Sequence, residues 1–363
     1  MLFSLGFLVL YFVLFVLLLG LWWFREERPI PPLAEFPSVS ILIAARNEEE
    51  HIITCLQAID RLHYPKEKLE VLVGDDRSTD RTRALVEAYQ QQFPYVRCHA
   101  ITYDVPGTKG KANVLAQLAR LATSNFFFIT DADIEVSPLW VETLLRQVTD
   151  RTGIVTGITT TKGSGLFNRL QTLDWLYNLG LMQVVADRGV AVSTMGNNML
   201  VAREAYEAVG GFESIPFSVT EDVQLFKQVL QKGYKTANVY SAQVLALSLP
   251  APNVMTLLHQ RRRWMRGSVH LPWYMLLLFV LHSAYYPVWL PFFLHTSVEI
   301  WLGIFCAKVV VQGLFVHLCL RRVGRKTNWP DLFLLEIYLL VSGFILIIYF
   351  FLPVKIRWKG RLY

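Results

Sequence analysis

Residues 126–133 have the sequence FFFITDAD, in which an apolar, β-branched run ends at two carboxylates. Residues 69–76 repeat this design, because LEVLVG is followed by Asp75 and Asp76. Such runs are typical of buried strands. The predicted strands are Val39–Ala44, Glu70–Val73, Val96–Thr102 and Phe126–Ile129, and the helical stretches between them are Glu48–Asp60, Thr82–Gln92 and Lys111–Ala122. This alternation predicts an α/β domain with a mostly parallel sheet and helices on both faces.

The acidic clusters follow the strands directly. In parallel sheets the ligand crevice lies at the carboxyl ends of the strands. Asp131 and Asp133 are alternate residues of an extended segment, so both carboxylates can face one ligand. Hard oxygen ligands of this kind suit Mg²⁺ or Mn²⁺. For residues 74–80 a turn and a helix cap explain Ser78–Asp80, but they do not explain two adjacent acids at a strand end.

Three further motifs carry polar side chains at defined spacing. Thr220-Glu221-Asp222 opens a helical stretch, where capping by Thr220 is the purely structural interpretation. Gln260-Arg261-Arg262-Arg263-Trp264 precedes an apolar region, and a basic membrane flank explains its arginines but not Gln260 or Trp264. Gly196-Asn197 precedes the apolar residues Leu200-Val201, and a tight turn beside the core is its purely structural interpretation.

The two ends of the chain hold an apolar excess. Of the 363 residues, 53% are hydrophobic and 18% are charged, whereas soluble domains carry about 25% charged residues. The long apolar runs are Leu2–Phe24, Leu271–Leu294, Ser297–Leu320 and Leu332–Leu352. About 20 apolar residues span a bilayer. A cleaved signal peptide would need a shorter apolar core and a small-residue cleavage site, so the first run is predicted to be an uncleaved anchor.

The net charge of +6 comes from basic clusters beside these runs. The clusters are Arg261–Arg266, Arg321–Lys326 and Lys355–Arg361. This placement suits the cytoplasmic flanks of membrane helices and excludes a nucleic-acid partner. The four cysteines form no CxxC pair, which argues against a zinc site or a disulfide framework.

The predicted topology contains a conflict. Three C-terminal crossings would place the basic tail outside, against the positive-inside rule, so either Leu332–Leu352 re-enters or the count over 271–320 is wrong. Glu299, Lys308 and Glu336 lie inside the apolar runs, and they either face a bundle interior or extend to the interface. Pro287 and Pro291 are predicted to kink the first of the three runs.

Five motifs occur in order along the chain. They are Ser40–Glu48, Asp75–Asp80, Asp131-Ala132-Asp133, Thr220-Glu221-Asp222 and Gln260-x-x-Arg263-Trp264. This set, between Ser38 and Trp264, resembles the family 2 glycosyltransferases with the GT-A fold. More closely it resembles their membrane branch, which contains cellulose, chitin and hyaluronan synthases and ceramide glucosyltransferases.

The resemblance implies an organisation in six parts. It implies an anchor at 1–24, a linker at 25–37, a GT-A (nucleotide-diphospho-sugar transferase) domain at 38–250, a juxtamembrane segment with the QxxRW motif at 251–270, about three C-terminal transmembrane segments at 271–352 and a basic tail at 353–363. The expected location is the cytoplasmic membrane, with the catalytic domain facing the cytoplasm.

The resemblance also implies the site residues. Those expected to bind the nucleotide-sugar are Ala45, Asn47, Glu48, Asp76, Lys111 and Asp131. Those expected to hold Mg²⁺ or Mn²⁺ are Asp133 and Asp131. Those expected in catalysis are Asp222 as the general base, Glu221, Gln260, Arg263 and Trp264. Arg263 is expected at the diphosphate and Trp264 at the acceptor. The acceptor pocket is also expected to include Gly196 and Asn197, for which a tight turn beside the core remains the alternative. The expected reaction is inverting transfer from a UDP-sugar.

The acceptor class stays open between two alternatives. Trp264 is followed within a few residues by the apolar region, which leaves little chain for a polymer channel. The ending Trp358-Lys359-Gly360-Arg361-x-Tyr363 resembles that of transferases that add one sugar to a membrane lipid. The alternative is a polysaccharide synthase, with a partner subunit if a polymer is made. Residues 164–187 are predicted to be a core helix, or else an interfacial helix that guides a lipid acceptor.

Other function classes lack their motifs. Gly107-Thr108-Lys109-Gly110-Lys111 does not have P-loop spacing, and Ala44-Ala45-Arg46-Asn47 stands where a dehydrogenase would need G-x-G-x-x-G. A non-catalytic scaffold would not need the strand-end acids.

Overall fold

The computed structural model describes residues 2–25, 31–268, 273–352, 357–358 and 361–362. Pro29 of the predicted linker, Leu271 at the start of a predicted span, and Lys355 and Lys359 of the basic tail lie outside these described residues.

The α/β region is built on one main sheet. The strands are β1 Val39–Ala45, β2 Leu69–Asp75, β3 Val96–Ala100, β4 Phe126–Asp131, β5 Thr152–Thr156, β6 Ile158–Thr161, β7 Asn198–Ala202, β8 Lys235–Asn238, β9 Leu245–Ser248, β10 Arg357–Trp358 and β11 Arg361–Leu362. Seven of them form a sheet in the order β3-β2-β1-β4-β7-β5-β8. Only β7 runs antiparallel to its neighbours β4 and β5. The predicted α/β class, with a mostly parallel sheet, is confirmed.

Helices cover both faces of this sheet. The helices are α1 Leu2–Trp23, α2 Ile52–Asp60, α3 Thr82–Gln92, α4 Lys111–Leu121, α5 Trp140–Leu145, α6 Leu166–Ala186, α7 Arg203–Ala208, α8 Gly211–Ser214, α9 Glu221–Gln231, α10 Val254–Ser268, α11 Trp273–Ser283, α12 Tyr285–Phe293, α13 Val298–Arg322 and α14 Trp329–Phe351. Alternate residues of β1 show the two layers, because Ile41 packs in the same core as Ile52 and Leu42 in the same core as Leu115.

The first predicted helix begins later than expected. The sequence predicts Glu48–Asp60, whereas α2 begins at Ile52. The Glu48 amide donates a hydrogen bond to the Thr82 hydroxyl at 2.7 Å, which joins this residue to the start of α3. Glu48 therefore stays in the strand-end loop, at the ligand edge of the sheet.

Among the residues that the structure describes, three helices are long and apolar enough to cross a membrane, namely α1, α13 and α14. The predicted span at 271–294 instead contains two shorter helices, α11 and α12, which meet at Ala284. The break precedes Pro287, whose ring nitrogen has no hydrogen to donate to the carbonyl of Ser283 four residues earlier. A single continuous helix over this stretch is thus not formed.

The apolar helices are held to one another and to the α/β region by specific contacts. The Arg322 guanidinium donates to the carbonyls of Trp22 at 2.9 Å and Arg25 at 3.0 Å, which fixes α13 beside α1. At the start of α14, Asp331 forms an ion pair of 2.7 Å with Arg169 of α6. At its end, the Arg262 guanidinium of α10 donates to the Leu352 carbonyl. The two ends of α14 are therefore held by α6 and α10.

The charges within the apolar runs have different positions. Lys308 and Glu336 are buried and form an ion pair between α13 and α14, so they face the bundle interior. Glu299 is exposed in the first turn of α13. Helix α6 contributes Leu173 and Leu176 to the core, as the core-helix alternative predicts, and its Leu179 and Met182 line a cavity.

Candidate active site

The carboxyl ends of the central strands bring the predicted acids to one edge of the sheet. Ala44 pairs with Asp131 across β1 and β4, and Ala45 pairs with Asp75 across β1 and β2. The register is set by the buried apolar alternation of these strands, so the acids that follow each run must emerge together. This edge is the ligand crevice that the alternation predicts.

The expected nucleotide pocket is formed by the loops after β1 and β2. The Asp76 amide donates to the Ala45 carbonyl at 2.8 Å, and the Thr79 amide donates to Asn47 Oδ1 at 2.8 Å. Asn47 has a φ of 52°, a left-handed conformation that asparagine tolerates better than most residues. The four residues expected there, Ala45, Asn47, Glu48 and Asp76, are brought together by these contacts.

Lys111 is the positive centre of the site. Its ammonium lies 2.5 Å from Asp131 Oδ1 and 3.4 Å from Glu221 Oε1, and it donates to the Gly196 carbonyl at 3.0 Å. Burial opposes the charge on Lys111, but the carboxylates of Asp131 and Glu221 outweigh burial and raise its pKa above the usual value. The lysine at the start of α4 therefore joins β4, α9 and the loop before β7.

The residues at the start of α9 have unequal environments. Asp222 Oδ2 accepts a hydrogen bond of 2.6 Å from the Gly196 amide, and Oδ1 accepts one of 2.9 Å from the Val223 amide. Burial raises the pKa of Glu221, and Lys111 only partly offsets this effect. Asp222 is thus oriented by backbone donors, whereas Glu221 is bound to the lysine.

The loop before β7 approaches Asp222 closely. A Cβ atom at Gly196 would lie 2.8 Å from the Asp222 Cβ, which is closer than real side chains allow. The next residue is fixed by its own contacts, because Asn197 Oδ1 accepts from the Thr159 hydroxyl at 3.1 Å and its carbonyl accepts from the Thr130 hydroxyl at 3.0 Å. The close approach of this loop to Asp222 therefore requires glycine at position 196.

Helix α10 presents its motif on one face. Gln260, Arg263 and Trp264 are spaced i, i+3 and i+4, so they share a helix face, and all three line the cavity described below. The Trp264 ring meets Trp175 edge-on with centroids 5.0 Å apart, and Arg261 stacks over Trp264 at 4.9 Å.

The neighbouring arginines of this motif have different partners. Arg261 forms an ion pair with Asp174 of α6. Arg262 is buried against α14, where its guanidinium lies 5.3 Å above the Tyr349 ring. Arg262 therefore belongs to the helix packing and Arg263 to the cavity.

One cavity of about 680 Å³ connects these groups. Its polar end contains Lys111, Asp131, Asp133, Glu221 and Asp222, and its wall continues along α6, α10, α12, α13 and α14. Lining residues that the sequence motifs did not indicate are Trp175, His282, Tyr286, Lys308, Phe344 and Ile347. Ala45, Asn47, Glu48 and Asp76 lie outside this cavity wall, at the adjacent strand ends.

The carboxylates of this cavity can be compared with the ligands that a divalent cation requires. Within the described ranges, no group of three or more His, Cys, Asp or Glu side chains is arranged to hold a metal ion. Asp131 and Asp133 both line the cavity beside two further carboxylates, with Lys111 as a counter-charge. Mg²⁺ binds through one or two carboxylates and completes its shell with water and substrate phosphates. The two aspartates therefore fit such an ion together with a diphosphate.

The chain is similar to several characterised transferases. It is 26% identical over 240 residues to beta-monoglucosyldiacylglycerol synthase of Synechocystis, covering 64% of this chain and 48% of that protein. It is 25% identical over 248 residues to poly-beta-1,6-N-acetyl-D-glucosamine synthase of Staphylococcus aureus, covering 67% and 57%. The chain thus spans about half the length of the curated relatives it matches.

A solved structure and a family model extend over nearly the whole chain. The structure is a mannosyltransferase from Pyrobaculum calidifontis, in complex with GDP-Man and Mn²⁺, with a TM-score of 0.61, 18% identity and coverage of 95% of this chain and 94% of that one. This likeness confirms the predicted GT-A fold. The model of glycosyl transferase family 21 matches residues 5–363. The chain is therefore a glycosyltransferase that belongs to glycosyl transferase family 21.

Proposed function

We propose that this glycosyltransferase moves one sugar from a UDP-sugar to a hydroxyl group of a membrane lipid, with inversion at the anomeric carbon. The observation that carries the proposal is the cavity that joins Asp222 to Phe344 and Ile347 of the apolar helix α14. A lipid could place its hydroxyl at the carboxylate while its chains stay beside the membrane helices. The helices α1, α13 and α14 supply the attachment to the bilayer.

The donor end of the proposal rests on charge and position. The loops that carry Asn47 and Asp76 would hold the uridine, and Asp131 and Asp133 would hold Mg²⁺ or Mn²⁺. When bound, the cation supplies positive charge to the departing diphosphate. Arg263 lines the same cavity and would stabilise that diphosphate through charge-assisted hydrogen bonds. Two observations support this end. The Pyrobaculum structure was solved with GDP-Man and Mn²⁺, and Arg263 lines the cavity while Arg262 bonds to Leu352 instead.

Asp222 is the proposed general base. Displacement of UDP from the sugar requires the acceptor hydroxyl to lose a proton as it attacks. The Gly196 and Val223 amides fix both carboxylate oxygens of Asp222, which leaves further lone pairs of those oxygens for the incoming hydroxyl. Direct attack from the side opposite to the leaving group inverts the anomeric centre.

Glu221, Gln260 and Trp264 have supporting roles in this proposal. Glu221 holds Lys111 against Asp131, so it positions the donor side rather than taking the proton. Trp264 stacks edge-on against Trp175 and would form the acceptor platform beside Gly196 and Asn197. Gln260 lines the wall one helical turn before Trp264 and would donate a hydrogen bond to the sugar or the acceptor.

The proposed location is the cytoplasmic membrane, with the catalytic domain on the cytoplasmic side. Arg322, at the end of α13, contacts the carbonyls at the end of α1, so the basic cluster Arg321–Lys326 lies on the same side as the catalytic domain. Basic residues of this kind favour the cytoplasmic side.

Product analysis tests the lipid acceptor. Membranes that contain the full chain are incubated with a panel of labelled UDP-sugars, and the products are divided into an organic-soluble and an insoluble fraction. Label in the organic phase supports transfer to a lipid. Label only in insoluble polymer would favour polysaccharide synthesis, the activity named for the Staphylococcus relative.

A further inference from the structure

A polar cluster lies between the apolar helices, at the end of the cavity away from the sheet. Lys308 of α13 and Glu336 of α14 form an ion pair, with exposed side-chain fractions of 4% and 0%. Gln312 Nε2 donates to Glu336 Oε2 at 2.7 Å. The Lys308 ammonium also lies 4.9 Å from the Tyr285 ring centre and 5.0 Å from that of Tyr286. Ionisable groups in membrane helices are costly and commonly mark a functional pathway.

Two side chains that line the cavity have buried polar atoms without a hydrogen-bond partner among the described residues. They are the Tyr286 hydroxyl on α12 and the Trp175 indole nitrogen on α6. Leaving a buried donor unsatisfied is expensive, so native structures rarely do so without a reason. The neighbouring Tyr285 hydroxyl is also unpartnered in this part of the chain, but Tyr285 does not line the cavity.

We propose that Tyr286 and Lys308 bind a carbonyl oxygen of the acceptor lipid, and this inference rests on the lipid transfer proposed above. The Tyr286 hydroxyl has no partner among the described residues, and the Lys308 ammonium, which already contacts Glu336 and Gln312, has a third N–H to donate, so an acceptor oxygen suits both groups. The surrounding wall is apolar, with Leu340 and Phe344 of α14. The ester of a diacylglycerol and the amide of a ceramide both carry such an oxygen close to the hydroxyl that receives the sugar.

Glu336 and Gln312 are positioning residues in this account. They hold the ammonium of Lys308 at the wall through the ion pair and the hydrogen bond between them. If the ion pair had only a structural role, its replacement by apolar side chains would leave acceptor binding unchanged. Such replacements of a buried pair are often neutral or stabilising for the fold.

The test measures KM and kcat for different acceptors with the purified full chain in phosphatidylcholine vesicles. The acceptors are diacylglycerol, ceramide and a dialkylglycerol, which lacks the carbonyl groups. In the Tyr286→Phe variant we expect KM for the carbonyl-containing acceptor to rise about 10-fold, with kcat little changed. KM for the dialkylglycerol should not change. Whichever of diacylglycerol and ceramide shows the effect identifies ester or amide as the recognised group.

Tyr285→Phe is the matched control, because it removes an adjacent unpartnered hydroxyl that is not in the cavity wall. It should leave every KM unchanged. The double variant Lys308→Met with Glu336→Leu removes the ion pair without leaving a single buried charge, and it should raise the same KM while the thermal unfolding of the chain stays cooperative.

An unchanged KM for both carbonyl-containing acceptors in Tyr286→Phe would overturn the inference, and so would an equal rise for the dialkylglycerol. Failure of the underlying function has a different signature, because the wild-type chain would then label none of the three lipids.

Discussion

The backbone amide of Gly196 donates a hydrogen bond of 2.6 Å to Asp222 Oδ2, which joins the loop before β7 to the first turn of α9. The Val223 amide holds the other oxygen at 2.9 Å. Because both donors belong to the backbone, the orientation of this carboxylate depends on the fold rather than on a mobile side chain. The proposed base is therefore preorganised.

Gly196→Ala should disturb this orientation. The added Cβ would lie 2.8 Å from the Asp222 Cβ, so α9 or the loop must move. Misplacement of a reacting group by about 1 Å can cost about 100-fold, and we expect kcat to fall by about that factor with little change in UDP-sugar affinity. Gly165→Ala is the control, since the nearest atom to its added Cβ is 3.9 Å away. Unaltered kcat in Gly196→Ala would show that the contact does not matter for transfer.

Asp222→Asn should lower transfer by about 10³-fold or more, because a general base contributes about 10²–10⁴-fold and an amide cannot accept the proton. The amide has nearly the same shape, so UDP-sugar binding, measured by titration calorimetry, should persist. Wild-type turnover in this variant would exclude Asp222 as the base.

Removal of divalent cations should abolish activity. EDTA treatment followed by Mn²⁺ or Mg²⁺ should restore it, and Asp133→Asn should raise the half-saturating metal concentration by about 10-fold or more. Glu135→Gln serves as control, because the Glu135 carboxylate lies 2.5 Å from Lys162 and does not line the cavity. Full activity in EDTA would contradict the metal role of the two aspartates.

Glu221→Gln should change the pH dependence of stability. Burial raises the pKa of Glu221, so its charged form is unfavourable in the folded chain. A carboxyl group whose pKa is higher in the folded than in the unfolded chain lowers the free energy of unfolding once the pH exceeds its unfolded-state pKa. Below that pKa the group is protonated in both states, and the destabilisation disappears. The variant should therefore unfold at a higher temperature than the wild type at pH 8, and the difference should shrink towards pH 5. Lower stability of the variant at pH 8 would mean that the ion pair with Lys111 dominates instead.

Local pattern predicted four of the seven strands of the main sheet, namely β1 to β4, and the positions of several candidate site residues. Strand ends placed Asp76 and Asp131 at one edge, and helical spacing placed Gln260, Arg263 and Trp264 on one face. These features depend only on the periodicity of strands and helices, so a single sequence contains them.

The membrane part of the cavity was not predictable in this way. Trp175 of α6 is distant in sequence from Tyr286 of α12 and Lys308 of α13, and only helix packing brings the three to one wall. The division of the apolar run at Ala284 agrees with the kink predicted from Pro287, although hydropathy alone predicted a single span.

The account as a whole is tested most directly by the NMR spectrum of the organic-soluble product, made by the purified chain from an α-linked UDP-sugar in lipid vesicles. The account predicts one sugar residue, in β linkage, on a lipid hydroxyl. An α linkage would contradict inversion with Asp222 as base, and a chain of sugars would contradict single transfer to a lipid.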